Sequence, residues 1–238
     1  MDIREARDFD ARIWLALPRS DEPEATRLGA IKDTESQAWY VEKPTVDGLS
    51  RWAVDASHRF TGENRNFGSE RSLYVDLVPS TTWTTNVRSA LSGSMWSAVA
   101  RTCRARAGMA CELCKAVLDR TTAPWSEDHS KTFRLDCHER WSFNEQSGVQ
   151  RLERLLTLCY ECHAATHLGR SSSVGIGPQA IAHYARVRAT TQAQTNQEIE
   201  QAFAVWRERS NQRWNIDLTF MNPTKNAPRE AKSRRTTR

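Results

Sequence analysis

No stretch of this 238-residue chain approaches the roughly 18 consecutive apolar residues that a membrane-spanning helix needs. The first ten residues, Met1 to Asp10, alternate charges and hold no apolar core of the kind a secretory leader carries. These absences exclude a spanning segment and a signal peptide and imply a soluble, cytoplasmic protein with no membrane partner. Glycine and proline are scarce, 10 and 8 residues beside nine tryptophans, which argues against disorder and for packed structure. No internal repeat is present. The chain also lacks a His-Glu-x-x-His motif, which removes the zinc peptidases that depend on it.

Most of the chain lacks net charge as well. The formal charge is +5, but Met221 to Arg238 supplies all of it with six basic residues and one acid. Residues 1–220 hold 28 basic and 28 acidic side chains, and residues 1–50 are acidic by four. A flexible basic tail suits counterion-releasing contact with phosphates, and it equally suits a solubilising terminus.

Cysteine is present, and its spacing is informative. Six cysteines lie at 103, 111, 114, 137, 159 and 162. Three disulfides are not expected in a reducing compartment. Cys111/Cys114 and Cys159/Cys162 form two CxxC pairs, and two such turns complete a tetrahedral thiolate shell for structural Zn²⁺. Cys103 shares a helical face with Trp96, Val99 and Ala100 and reads as core. Cys137 falls on an expected strand, with its role open.

Along the chain, Arg12–Leu17 and Ala38–Val41 read as strands around a short helix with Pro23 in its first turn, ending at Gly29. About 40 residues is little core, so this β-α-β unit should dock on the rest. Residues 53–93 form a connecting segment with a polar loop and an expected strand at Leu73–Val78. A helix from Ser94 to Ala107, closed by Gly108, leads into the first CxxC. After the second CxxC a short helix should end at Gly169, followed by a connector over 171–177 and a helix opened by Pro178. The last helix reads as capped by Thr195 and Glu198, with Ile199, Ala202, Phe203 and Trp206 on one face.

Between the CxxC pairs stands Cys137-His138-Glu139-Arg140-Trp141. The second pair continues as Cys162-His163-Ala164-Ala165-Thr166-His167. Four residues apart on a helix, His163 and His167 share a face and can chelate one ion. His129, beside Glu127 and Asp128, is a further candidate, whereas His58 and His183 have no sequence partner and read as structural or exposed.

The order CxxC, strand-borne His, CxxCHxxxH resembles the HNH endonucleases over roughly residues 94–220, and the His-Glu-x-Trp run resembles one bacterial subgroup of them. Residues 1–52, from Ile13-Trp14-Leu15 to Trp52, resemble a small uncharacterised domain of plasmid-borne DNA-processing proteins. The resemblance implies an α+β fold: a zinc-stabilised ββα-metal core with flanking helices and a small N-terminal β-α-β accessory domain. It also implies a structural zinc on Cys111, Cys114, Cys159 and Cys162. A separate catalytic divalent ion, Mg²⁺, Mn²⁺ or similar, would be held with help from His163 and His167. The implied activity is hydrolysis of DNA phosphodiester bonds to 5′-phosphate and 3′-hydroxyl ends, in a mobile element or in phage defence.

Two positions depart from the usual family pattern. One alignment makes His138 a metal ligand and Glu139 the base. The other makes His138 the base, with Glu139 a ligand or orienting partner; imidazole is the better base near pH 7. The middle Asn of the family corresponds to Asn144, with Gln150 a rival. Arg134, Arg140, Arg151 and Arg154 surround the expected site and suit phosphate contacts or ordinary salt bridges. A non-catalytic zinc-stabilised nucleic-acid-binding module is the alternative reading. RNA as substrate and a homodimer both stay open.

Overall fold

The computed structural model describes residues 12–42, 48–49, 52, 63–69, 73–84, 86–117 and 135–219. Among the described residues, two small sheets and seven helices make a mixed α+β architecture. No helix among the described residues is long and apolar enough to cross a membrane.

The first sheet contains β1 (Ile13–Leu15), β2 (Ile31–Lys32) and β3 (Trp39–Val41), with helix α1 (Glu22–Arg27) between β1 and β2. Its order is β1-β3-β2, antiparallel throughout, so the unit has one strand more than the β-α-β reading expects. A turn creates that strand. Asp33 Oδ2 accepts from the Ser36 amide at 2.8 Å, Gln37 takes φ 58°, and Ile31–Lys32 folds back along β3. The strand expected over 12–17 shrinks to three residues.

The unit docks, as its small core requires. Thr102 Oγ1 donates to Leu15 O at 3.0 Å, and Trp14 and Tyr40 share a core with Val99, Cys103, Trp141, Leu152 and Leu155. Thr102 belongs to helix α3 (Gly93–Arg106), which follows the single turn α2 (Val87–Ala90). Ser92 caps α3, and Gly108 beyond its end takes φ 62°, the left-handed conformation that glycine adopts without strain.

The second sheet is a long hairpin, β4 (Leu135–Asn144) and β5 (Val149–Cys159), joined in parallel by β6 (Asn215–Asp217). Strand alternation gives the hairpin two faces. Cys137, Trp141 and Leu155 face α3 and the first sheet. Leu156 and Leu158 face a second core, built from α4 (Tyr160–Thr166), α5 (Leu168–Ser173) and α6 (Gly177–Arg188), with Ile199 and Phe203 of α7 (Gln192–Arg209) packed against it.

Three expectations need correction. Leu73–Val78 joins no sheet: Leu73 and Val75 enter the second core, and the Asp76 amide donates to Thr166 O at 2.9 Å. The helix after the second CxxC does not end at Gly169. It breaks at His167 (φ −96°, ψ 51°) and restarts as α5, because Ser171 Oγ bonds back to Ala164 O at 2.7 Å. The last helix begins at Gln192 on a Thr191/Gln194 capping box, while Thr195 is buried against Thr190 and Glu198 accepts from Tyr184 and Arg188. Both pairs fit the same S/T-x-x-E/Q pattern, and tertiary contacts chose between them.

Candidate metal centres

The four cysteines come together. Cys111 and Cys114 lie in a tight turn closed by Cys111 N–H to Ala116 O at 2.8 Å, with Lys115 at φ 62°. Glu112 fastens this turn to β5: its amide donates to Thr157 O at 2.9 Å and its carboxylate accepts from Thr157 N at 2.8 Å. Cys159 ends β5 and caps α4, whose first turn brings Cys162 back toward it; the Cys162 amide donates to Cys159 Sγ at 3.4 Å. All four sulfurs lie within 4.8 Å of one another. Four thiolates at this separation fit tetrahedral zinc and leave it no open position.

His183 of α6 belongs to this centre, although no neighbour in sequence points to it. Arg186 donates to its Nδ1 at 2.7 Å, which places the ring proton on Nε2, 3.1 Å from Cys162 Sγ. Burial and the Arg186 charge push His183 down to about 4, so it is a neutral donor. A buried thiolate shell carries excess negative charge, and this N–H offsets part of it.

A second cluster lies on the same helix. His138 of β4, His163 of α4 and His167 at the α4–α5 break bring their ligand atoms within 4.8 Å of one another. Ring centroids stand 5.4 Å apart for His138 and His163, and 4.8 Å for His167 with each of the others. Cys162 and His163 are consecutive, so their side chains leave the helix about 100° apart and serve different sites. Asp136, on the His138 face of β4, binds His163 Nδ1 at 2.8 Å and leaves Nε2 free to ligate.

His138 is only 4% exposed, and its Nε2 is buried without a hydrogen-bond partner, 3.9 Å from Asp76 Oδ2. An ion would satisfy that orphan nitrogen. Burial pushes His138 well below its ordinary value. Burial and then the His163 charge bring His167 to about 3. Both rings are therefore neutral, the ligating form. Burial alone would raise Asp76, but His138 and Arg140 beside it outweigh that and hold it at about 2. Three imidazoles suit transition-metal ions; Mg²⁺ prefers oxygen ligands.

Several sequence candidates are not brought to the histidines. Glu139 points through the opposite face of β4, where its carboxylate accepts from Val87 N at 3.0 Å at the start of α2; burial raises it to about 7. Neither alignment that gives Glu139 a place at the ion fits this position. Asn144 accepts from Ser147 N at 3.0 Å in the β4–β5 turn, six residues and roughly 20 Å along the strand from His138. Gln150, its rival, is buried opposite Phe143 near that same end.

Among the arginines, Arg140 lies on the His138 face, donating to Asp76 Oδ2 at 3.0 Å and stacked 3.7 Å over Tyr74. Arg154 stands opposite Arg140 in the ladder, but its guanidinium is taken by Glu112 at 2.8 Å. Arg151 is half-exposed near Glu153 and Asp217 toward the far end of the hairpin. Arg134, His58, Glu127, Asp128 and His129 lie outside the described residues.

Sequence reasoning missed Asp76, Asp136 and His183. Only Asp136 carried a legible signal, its two-residue offset from His138 on an expected strand. No family model matches the chain, and neither a curated protein nor a solved structure does. The site's own chemistry therefore carries the functional argument.

Proposed function

We propose that this chain is a metal-dependent endonuclease of the HNH kind, hydrolysing DNA phosphodiester bonds beside a structural zinc. The observation that carries the proposal is the convergence of His138, His163 and His167 from a hairpin strand and the following helix. This set stands apart from the closed cysteine shell and is flanked by Asp76 and Asp136. The part exposure of His163 and His167 supports access by a substrate.

A divalent transition ion on three imidazoles supplies Lewis acidity and a more acidic bound water. The chain's own groups do the rest. Asp136 fixes the His163 ring through Nδ1. Arg140 brings a buried positive charge to the same face, where Asp76 and the Tyr74 ring hold its guanidinium. In hydrolysis a water oxygen bonds to phosphorus and the bond to the 3′ oxygen breaks. The water proton ends on that leaving oxygen.

The test is cleavage of supercoiled plasmid, linear DNA and RNA by zinc-loaded protein across Mn²⁺, Co²⁺, Zn²⁺ and Mg²⁺, with modified and unmodified DNA. Nicking with a transition ion, lost in His163→Ala, supports the proposal. Protein that binds DNA but nicks no substrate with any ion hands the case to the non-catalytic binding module.

A further inference from the structure

We infer that Asp76 is the working carboxylate of the histidine cluster: it holds, by accepting a hydrogen bond, the water that attacks phosphorus. One of the two sequence alignments gives that part to Glu139, and the other gives it to His138. The inference rests on the endonuclease reading above.

The placement of Asp76 supports it. Its backbone amide donates to Thr166 O at 2.9 Å, the residue before His167, and its carboxylate takes Arg140 Nη1 at 3.0 Å, two residues after His138. One residue thus ties the strand bearing His138 to the helix bearing the other two histidines. The same Oδ2 stands 3.9 Å from His138 Nε2. That gap is too long for a direct hydrogen bond, and it sets Oδ2 within reach of a water on an ion that Nε2 would hold. A carboxylate offers about four lone-pair sites, so the Arg140 bond leaves acceptor capacity for a water O–H.

The rival acids are engaged elsewhere. Asp136 is bound to His163 Nδ1, Glu139 caps α2 on the opposite face, and Glu161 lies 3.5 Å from His183 beside the cysteine shell. Arg140 also stacks on Tyr74, so residues 74–76 grip the guanidinium from two sides and hold the carboxylate in place.

The experiment uses the full chain with zinc retained in the cysteine shell, and compares wild type, Asp76→Asn, Asp76→Glu and Glu139→Gln. Readouts are single-turnover cleavage with Mn²⁺, Co²⁺ affinity by calorimetry, the visible spectrum of histidine-bound Co²⁺, and thermal melting. Asp76→Asn should slow cleavage by about 10²-fold or more, the usual worth of a positioned acid–base group. Co²⁺ affinity and melting should hold, while the cobalt band shifts as its water exchanges an anionic acceptor for a neutral amide. Asp76→Glu should recover part of the rate, and Glu139→Gln should stay within about threefold of wild type.

Asp76→Asn that cleaves within threefold of wild type overturns the inference. So does a loss of rate that merely follows lost Co²⁺ binding or lost folding. If wild type cleaves nothing, the endonuclease reading fails, and the spectrum still decides on Asp76. A cobalt band unchanged by Asp76→Asn then overturns its contact with the water, and a shifted band upholds it.

Discussion

Helix α4 is seven residues long and serves two sites of opposite character. At its N-terminus, Cys159 and Cys162 join Cys111 and Cys114 in a shell of four soft anionic donors, with Cys111 and Cys162 fully buried. One residue later His163 opens the second site, with three imidazole donors, two of them part-exposed, and carboxylates beside them. The number and softness of the donors separate the two. Four thiolates close a tetrahedron and fix structure, whereas three imidazoles leave positions for water or substrate. A metal closed on the four cysteines would also set the register of α4 and therefore where His163 and His167 point.

The comparison breaks most visibly if a cysteine is removed. Cys162→Ser should unfold or aggregate the protein, because structural zinc binding is worth on the order of 10 kcal/mol of folding free energy. Elemental analysis should find one zinc that survives dialysis against a chelator. Folded, zinc-free protein would end the claim of a structural shell.

At the other site, His167→Ala should lower cleavage by about 10³-fold while zinc content and DNA affinity stay near wild type. Parallel loss of zinc would show that the two sites are not separable.

Glu139 sharpens the contrast between the faces of β4. Burial raises its carboxyl to about 7, so the folded state holds a proton that the unfolded state gives up near 4.5. Its burial costs nothing below about pH 4.5 and its full amount above about pH 7. Wild type should therefore lose on the order of 3 kcal/mol from this group as pH rises between those values. Denaturant titrations from pH 5 to 8 should show that slope flattened in Glu139→Gln. Parallel profiles for the two proteins would refute it.

His183→Ala should speed zinc loss to a chelator by about 10-fold or more, and His183→Gln, which keeps an N–H donor, by less. The smallest structural effect is expected from removing residues 221–238. The log–log salt slope of DNA binding should flatten by up to about five, matching the tail's net charge, with melting unchanged. An unchanged slope returns the tail to a solubilising role.

The cysteine shell was legible because CxxC spacing is local chemistry: a turn of that length can only bring two sulfurs to one point. His163 and His167 were legible for the same reason, through helical periodicity. Glu139 misled because adjacency in sequence means opposition on a strand; the nearest residues that share the His138 face are Asp136 and Arg140, two positions away. Asn144 looked close in number, but an extended chain carries six residues roughly 20 Å. Leu73–Val78 has a strand's composition, yet among the described residues no strand pairs with it, and it packs on helices instead.

What the sequence determined by itself was the set of local devices: two thiolate turns, a histidine pair on one helical face, an apolar period in α7, and a glycine stop after α3. Each depends on contacts within a few residues, where backbone geometry leaves little choice. Only the tertiary structure decided which carboxylates meet the histidines, which capping pair starts α7, and that His183 reaches the cysteine shell. Asp76 and His138 lie 62 positions apart, and their meeting follows from how residues 73–77 settle on the α4–α6 core. Hydrophobic burial there is non-directional and carries no sequence address, so packing, with the Asp76 bonds to Thr166 and Arg140, fixed the outcome.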